Sequence, residues 1–197
     1  GDICSGAGDA AQMADFGEED SHDIFDLLNS RHIVLWGKNP VVSSPHLVPI
    51  LREARSRGAT VISIDPVSHA SAKLADRSYQ PRPGGDVAFA MAVARRLFDL
   101  GHTDPLAPGY CDNFEAFREL ARQKSVEAWC EEADVPPSAA DDLAECLGPG
   151  NPTAILVGWG MGRRANGGAI VRALDALAAI SGNLGIPGGG VSFYFKR

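Results

Sequence analysis

Three short apolar runs, each stopped by a glycine or by Asp-Pro, constrain this chain more than any other feature. His32–Trp36 (HIVLW) stops at Gly37, Ala59–Asp65 (ATVISID) at Pro66 and Thr153–Val157 (TAILV) at Gly158. Runs of this kind are β-branched and lack polar alternation, so they read as strands buried on both faces, the form strands take in parallel sheets. Between the first two lies Pro45–Arg57, apolar at helical spacing and stopped by Gly58. A strand, helix and strand joined by short polar turns predict a right-handed crossover.

The remaining segments extend that pattern. Asp20–Asn29 places Ile24, Leu27 and Leu28 at helical spacing behind a Ser21 cap. A helix is predicted from about Gly85 to Leu100, and residues 113–147 read as purely helical, with caps at Asn113, Ser125 and Ser138 and a Val-Pro-Pro hinge at 135–137. Gly167–Ser181 forms an alanine-rich amphipathic helix, and the glycine-rich tail turns β-like in Val191-Ser-Phe-Tyr-Phe195. The expected architecture is an α/β doubly wound, mostly parallel sheet, Rossmann-like, in one domain over 1–197 with a helical insertion at about 113–147.

Composition excludes several classes. No apolar run approaches the ~20 residues that cross a bilayer, so no direct membrane insertion is expected. The formal charge is −7 with no basic block, which argues against a nucleic-acid partner. Cys4, Cys111, Cys130 and Cys146 contain no Cys-x-x-Cys pair and support neither a zinc ribbon nor an iron–sulfur cluster. The last three read as structural thiols, and Trp129 as core. The chain starts at Gly1 without methionine or signal peptide and reads as a piece of a longer polypeptide.

In open α/β sheets, ligands sit beyond the carboxyl ends of the strands. The first exit, Trp36-Gly-Lys-Asn-Pro40, combines a permissive glycine with Asn39, which both donates and accepts. At the second, Asp65 can accept from a ribose diol or a guanine edge or can cap a helix, with Ser68 and His69 behind it; His69 reads as a surface residue. The third, Gly158-Trp-Gly-Met-Gly-Arg-Arg164, lacks the G-x-G-x-x-G spacing, but Arg163 or Arg164 could pair with a phosphate while Trp159 lies against a heterocycle. Pro81-Arg-Pro-Gly-Gly-Asp86 puts Asp86 at a helix N-cap position, where it caps or reaches a nucleotide. Together these loops describe a guanine- or adenine-nucleotide crevice.

The motifs also occur in a telling order: Trp-Gly-x-Asn-Pro, Ile-Asp-Pro with Ala75-Asp76, Pro-Gly-x-Asp, Gly-x-Gly…Asn-Gly, then Ser181-Gly-Asn-x-Gly-x-Pro-Gly-Gly-Gly190. This order resembles the DMSO reductase family of molybdenum or tungsten oxidoreductases, which carry bis(molybdopterin guanine dinucleotide). The resemblance implies that the chain is a central α/β domain holding the nucleotide part of one pterin dinucleotide. It places Cys4, within Gly1-Asp-Ile-Cys-Ser-Gly-Ala7, at the metal-ligand position, where soft sulfur suits a dithiolene-bound metal. It implies a crevice lined by Trp36, Gly37, Asn39, Pro40, Ile64, Asp65, Ser68, Gly85 and Asp86, with Trp159, Gly160 and Arg163 closing toward the pterin, and with the surplus glycines largely in loops that meet the cofactor.

Formate dehydrogenases of the family follow the ligand with histidine. Ser5 stands there, so the resemblance points to a reductase or dehydrogenase of a sulfur compound, an oxyanion or a small organic substrate. It further implies partners: the remaining domains of the same enzyme, among them an N-terminal segment that often binds an iron–sulfur cluster, and an electron-transfer subunit or carrier. A prokaryotic cytoplasm or periplasm would house such an enzyme. Two alternatives stay open, a nicotinamide-binding Rossmann domain and a non-catalytic domain of the same fold.

Overall fold

The side chains of the apolar runs alternate between two buried layers, and that alternation builds the molecule. The computed structural model describes residues 3–18 and 23–193. Helix α1 (Gly6–Phe16) and a 3-10 turn (Ile24–Asn29) precede β1 (His32–Trp36). A single turn, α2 (Pro40–Ser43), and α3 (Leu47–Ser56) lead to β2 (Thr60–Ile64). A second 3-10 turn (Ala70–Leu74) is followed by β3 (Arg77–Tyr79) and the long α4 (Asp86–Leu100). Then come α5 (Ala107–Tyr110), α6 (Phe114–Arg122), α7 (Val126–Ala133), α8 (Pro137–Leu147) and β4 (Thr153–Val157). A third 3-10 turn (Trp159–Arg163), α9 (Gly167–Ile180) and β5 (Gly190–Ser192) complete the order.

The sheet runs β3-β2-β1-β4-β5, every neighbouring pair parallel. His32 is level with Thr60 and Thr153, and Trp36 with Ile64 and Val157, so the three central strands end together. Ile33, Leu35, Val61 and Leu156 join Leu27, Leu47 and Leu51 under α3 and the 24–29 turn. Val34, Trp36, Ile62, Ile64, Ile155 and Val157 point to the opposite layer, under α4 and α9. Both faces are therefore covered, which explains why the strands lack polar alternation.

The helices of 114–147 do not form a separate lobe. α7 and α8 pack on α4, and their apolar faces belong to the same core as the sheet. Trp129 is buried there, its Nε1–H donating to the Ala121 carbonyl at 2.9 Å. Cys130 and Cys146 are buried thiols, pushed up to about 11 by burial, and all four cysteines are free.

Several local expectations are corrected. Residues 24–29 form a 3-10 turn, capped by Asp23, whose Oδ1 accepts from Phe25 N–H at 2.8 Å. Ser21 lies outside the described residues, as do the Tyr194 and Phe195 of the expected tail strand. Pro40–Ser43 is helical, because Pro40 takes the first helical position, where its missing N–H costs nothing. Gly85, and not Asp86, is the N-cap of α4. Ser125 does cap α7, but Asn113 sits at φ 59° with no side-chain cap bond and the α8 cap position falls on Pro136, ahead of Ser138.

Candidate functional site

The site is built around a close approach of backbone at the ends of β1 and β4. Gly37 N–H donates to the Ile64 carbonyl at 2.7 Å and Gly158 N–H to the Trp36 carbonyl at 2.8 Å, continuing the ladder one step past each strand. A Cβ on Gly158 would stand 1.7 Å from the Gly37 carbonyl oxygen, a distance no side chain tolerates. Gly37 has φ 64°, and a Cβ there would meet Met161 Cε at 2.4 Å. Beyond this pair the chain turns toward α3 on one face and α9 on the other. Such a topological switch point is where open α/β sheets receive ligands.

A crevice of about 210 Å³ opens at this point. Its walls are Gly37 from the β1 exit, Asp65 and Pro66 from the β2 exit, and Pro83, Gly84 and Asp86 from the turn into α4. Gly160, Met161 and Arg164 close it from the β4 exit. The volume falls below the ~300 Å³ at which pockets for drug-sized ligands begin, so it suits one part of a large ligand.

Two carboxylates and one guanidinium meet in this space. Asp65 Oδ1 accepts from Val67 N–H at 2.9 Å, and its Oδ2 is 3.1 Å from His69 Nε2. His69 Nδ1 accepts from Ser71 N–H at 3.2 Å, which assigns the ring proton to Nε2 and makes His69 the donor to Asp65. His69 is thus a half-buried support for Asp65 and not a free surface group. Asp86, 6% exposed, accepts from Trp36 Nε1–H at 2.9 Å. Burial pushes the Asp86 carboxyl above the usual range, and the Trp36 bond and the Arg164 charge only partly oppose it. Lys38, beside Gly37, is held below the usual lysine range by burial.

Of the residues singled out from the sequence, Gly37, Asp65, Asp86 and Gly160 line the crevice. Trp36 lies beneath it, 1% exposed, with its ring 5.3 Å from that of Phe89 and its N–H committed to Asp86. Ile64 is likewise core and lends only its carbonyl. Asn39 and Pro40 start α2, and Asn39 Oδ1 accepts from Ser71 Oγ–H at 2.6 Å, tying the β1 exit to the 70–74 turn. Gly85 packs against α7, where a Cβ would be 2.9 Å from Ala133 Cα. Ser68 and Arg163 are exposed and outside the lining. Trp159 is 40% exposed, and its Nε1–H donates to the Phe193 carbonyl at 3.0 Å.

Cys4 occupies the turn before α1, half-buried. That turn rests on the 159–163 loop, because a Cβ on Gly162 would lie 3.3 Å from the Cys4 carbonyl oxygen. The loop that closes the crevice therefore also carries the Cys4 turn. Among the described residues, no group of three or more His, Cys, Asp or Glu gathers to hold a metal ion on its own.

The 181–190 motif does not reach this site. Asn183 Oδ1 accepts from Thr153 N–H at 2.8 Å, and its Nδ2 donates to the Leu147 carbonyl at 3.3 Å and to Ser181 Oγ at 2.9 Å. Ser30 Oγ–H donates to the Gly188 carbonyl at 2.7 Å. These bonds lie at the amino ends of the strands, so the glycines of this stretch, expected to meet a ligand, serve tight turns there. Conversely, the crevice uses Gly84, Met161 and Arg164, which the sequence did not distinguish from Gly85, Gly162 and Arg163. Arg163 ends the 3-10 turn and is exposed, whereas Arg164, in extended conformation just past it, lines the crevice.

A family model described as molybdopterin oxidoreductase matches residues 1–195. The chain is 38% identical over 194 residues to the probable oxidoreductase YyaE of Bacillus subtilis (strain 168), covering 98% of this chain and 29% of that protein. It is 32% identical over 191 residues to the assimilatory nitrate reductase of Haloferax mediterranei, covering 95% of this chain and 26% of that one. Acetylene hydratase from Pelobacter acetylenicus shares the fold at a TM-score of 0.83 and 20% identity, over 95% of this chain and 26% of that structure. The chain thus spans 26–29% of the length of these three proteins.

Proposed function

The chain belongs to the molybdopterin oxidoreductase family, and on that premise we propose that its crevice cradles the guanosine end of a pterin dinucleotide while Cys4 ligates the metal. The observation that supports this most is the convergence of Asp65, Asp86 and Arg164 on one space above the Gly37–Gly158 pair. Guanine presents adjacent N–H donors that a carboxylate accepts, and a diphosphate pairs with a guanidinium. The donor set of the crevice fits both halves of such a group.

Each residue has a task in this reading. Asp65, held by Val67 N–H and by the His69 proton on Nε2, offers its remaining lone pairs to the base or the ribose diol. Arg164 takes the phosphates, and Gly37, Gly84 and Gly160 let a flat ring come close to the backbone. Asp86 is kept in place by Trp36 and sets the charge of the inner wall. Cys4, as thiolate, supplies one soft ligand, the dithiolenes of the cofactor supplying the others. When bound, the cofactor supplies the two-electron redox centre of the longer protein. The rest of that polypeptide and an electron-transfer subunit or carrier are its proposed partners, and a sulfur compound, an oxyanion or a small organic molecule its proposed substrate.

One observation favours a second reading. Asp65 directly follows β2, where nicotinamide-binding domains hold a ribose diol. Against it, β1 exits into Gly37-Lys-Asn-Pro40 without the glycine fingerprint.

The test is calorimetric titration of the 197-residue chain with GDP and with NAD⁺. GDP is expected to bind, and Asp65→Ala and Arg164→Ala are each expected to weaken it roughly tenfold or more, the size of one charge-assisted contact. Equal GDP affinity in all three proteins, or tighter binding of NAD⁺ than of GDP, would overturn the assignment.

A further inference from the structure

Away from the crevice, α1 and α9 lie side by side along a second cavity of about 680 Å³, walled also by α4 and α6. Their contact contains two acidic side chains. Gln12 Nε2–H donates to Asp175 Oδ1 at 3.1 Å, and Arg172 Nε–H donates to Asp15 Oδ1 at 2.8 Å. The two remaining oxygens, Asp15 Oδ2 and Asp175 Oδ2, are both buried and have no hydrogen-bond partner. Carboxylate oxygens only accept, so neither can satisfy the other while both groups are ionised. One proton between them would turn two orphaned acceptors into a single O–H···O⁻ bond.

We propose that Asp15 and Asp175 share one proton, taken from water, and that the resulting bond clasps α1 to α9. Asp175 is the proton carrier. It is 2% exposed, whereas Asp15 is ion-paired with the Arg172 guanidinium. Burial pushes the Asp175 carboxyl up to about 8; the Asp15 charge adds to this, while Gln12 and Arg172 pull against it. The facing groups are few. α1 brings Gln12 and Asp15, α4 brings Val87 and Met91, α5 brings Tyr110, and the turn before α6 brings Cys111 and Asp112 to the same cavity. β4 and β5 pack with Ile155, Val157 and Val191, and the 159–163 turn with its Arg163 meets α9 at Gly167. The clasp is independent of what the crevice binds. Its consequence is positional: α1 begins just after Cys4, so holding α1 on α9 holds the Cys4 turn on Gly162.

The sign of the pH effect follows from linkage. Asp175 holds its proton in the folded chain to a higher pH than in the unfolded chain, so its contribution to stability declines from about pH 4 and is gone above about pH 8. Carbon-13 NMR of the aspartate carboxyls in the wild-type chain should show Asp175 titrating near pH 8. In urea, the unfolding constant of wild type relative to Asp175→Asn should rise with pH across that window, by up to about tenfold per unit. Asp15→Asn offers an amide donor to ionised Asp175 and should lower its midpoint by at least about one unit. Hydrogen exchange tests the clasp itself: above pH 8, α1 amides should lose protection relative to those of α4 in the same sample. Titration of Asp175 near pH 4 in wild type, a pH-independent ratio of unfolding constants, or parallel loss of protection in α1 and α4 would each overturn the proposal. The wild-type titration decides even if a variant fails to fold.

Discussion

The two ends of one sheet use similar residues for opposite purposes. At the amino end, Asn183, Ser181, Thr153 and Ser30 answer one another and the backbone, and Gly188 N–H donates to Asp26 Oδ2 at 2.8 Å. Their hydrogen-bonding capacity is spent inside the chain. At the carboxyl end, glycines again bring backbones together, but Asp65, Asp86 and Arg164 keep capacity facing a crevice. The lesson is that a stretch rich in glycine, asparagine and serine does not by itself mark a ligand site. What separates a seal from a receptacle is whether a side-chain amide reaches an orphaned backbone group.

Three substitutions probe that contrast. Gly158→Ala places a methyl on the Gly37 carbonyl, so the strand ends must part; we expect a loss of at least about 4 kcal/mol in urea unfolding. A loss under about 1 kcal/mol would show that the crevice floor is plastic. Asn183→Ala strips partners from Thr153 N–H and the Leu147 carbonyl, both in the seal, and should cost about 2–4 kcal/mol while leaving GDP affinity unchanged. A parallel fall in affinity would show that the two ends are coupled. Asp86→Asn keeps an acceptor for Trp36 but removes a buried charge. Because burial raises Asp86 above its unfolded value, the ionised form weakens the fold as pH rises above about 4. The variant should therefore be more stable than wild type at pH 7 and lose that advantage toward pH 4. An advantage that stays constant with pH would remove burial of charge as its cause.

Much of this architecture was legible because it depends on pattern. The three central strands and the helices α3, α4 and α9 follow from apolar spacing and glycine stops; β1 and β4 have the expected limits, and the others differ from them by at most two residues at either end. β3 left no such signal. It is three residues long, two of them exposed, and exists because Asp76 accepts from Val61 N–H and pins its start to β2. In the site, the exits were legible but the side-chain directions were not. Trp36 and Gly85 sit in the right segments yet face the core and α7, because strand register and the last turn before α4 point them inward. Asp175 carries no local signal, since its meaning comes from Asp15, a residue on a helix at the other end of the chain.

The pairing of β1 with β4 also sets an order of events during synthesis. His32 pairs with Thr153, and the whole segment from α4 through α8 lies between them. At ribosomal speeds that stretch takes on the order of ten seconds to emerge. Throughout that interval β1 and β2 can pair, but one edge of β1 and its terminal Gly37 face solvent or a chaperone. The receptacle thus forms only once β4 has emerged. A ribosome pausing before β4 would hold an unfinished hydrophobic edge of β1 exposed.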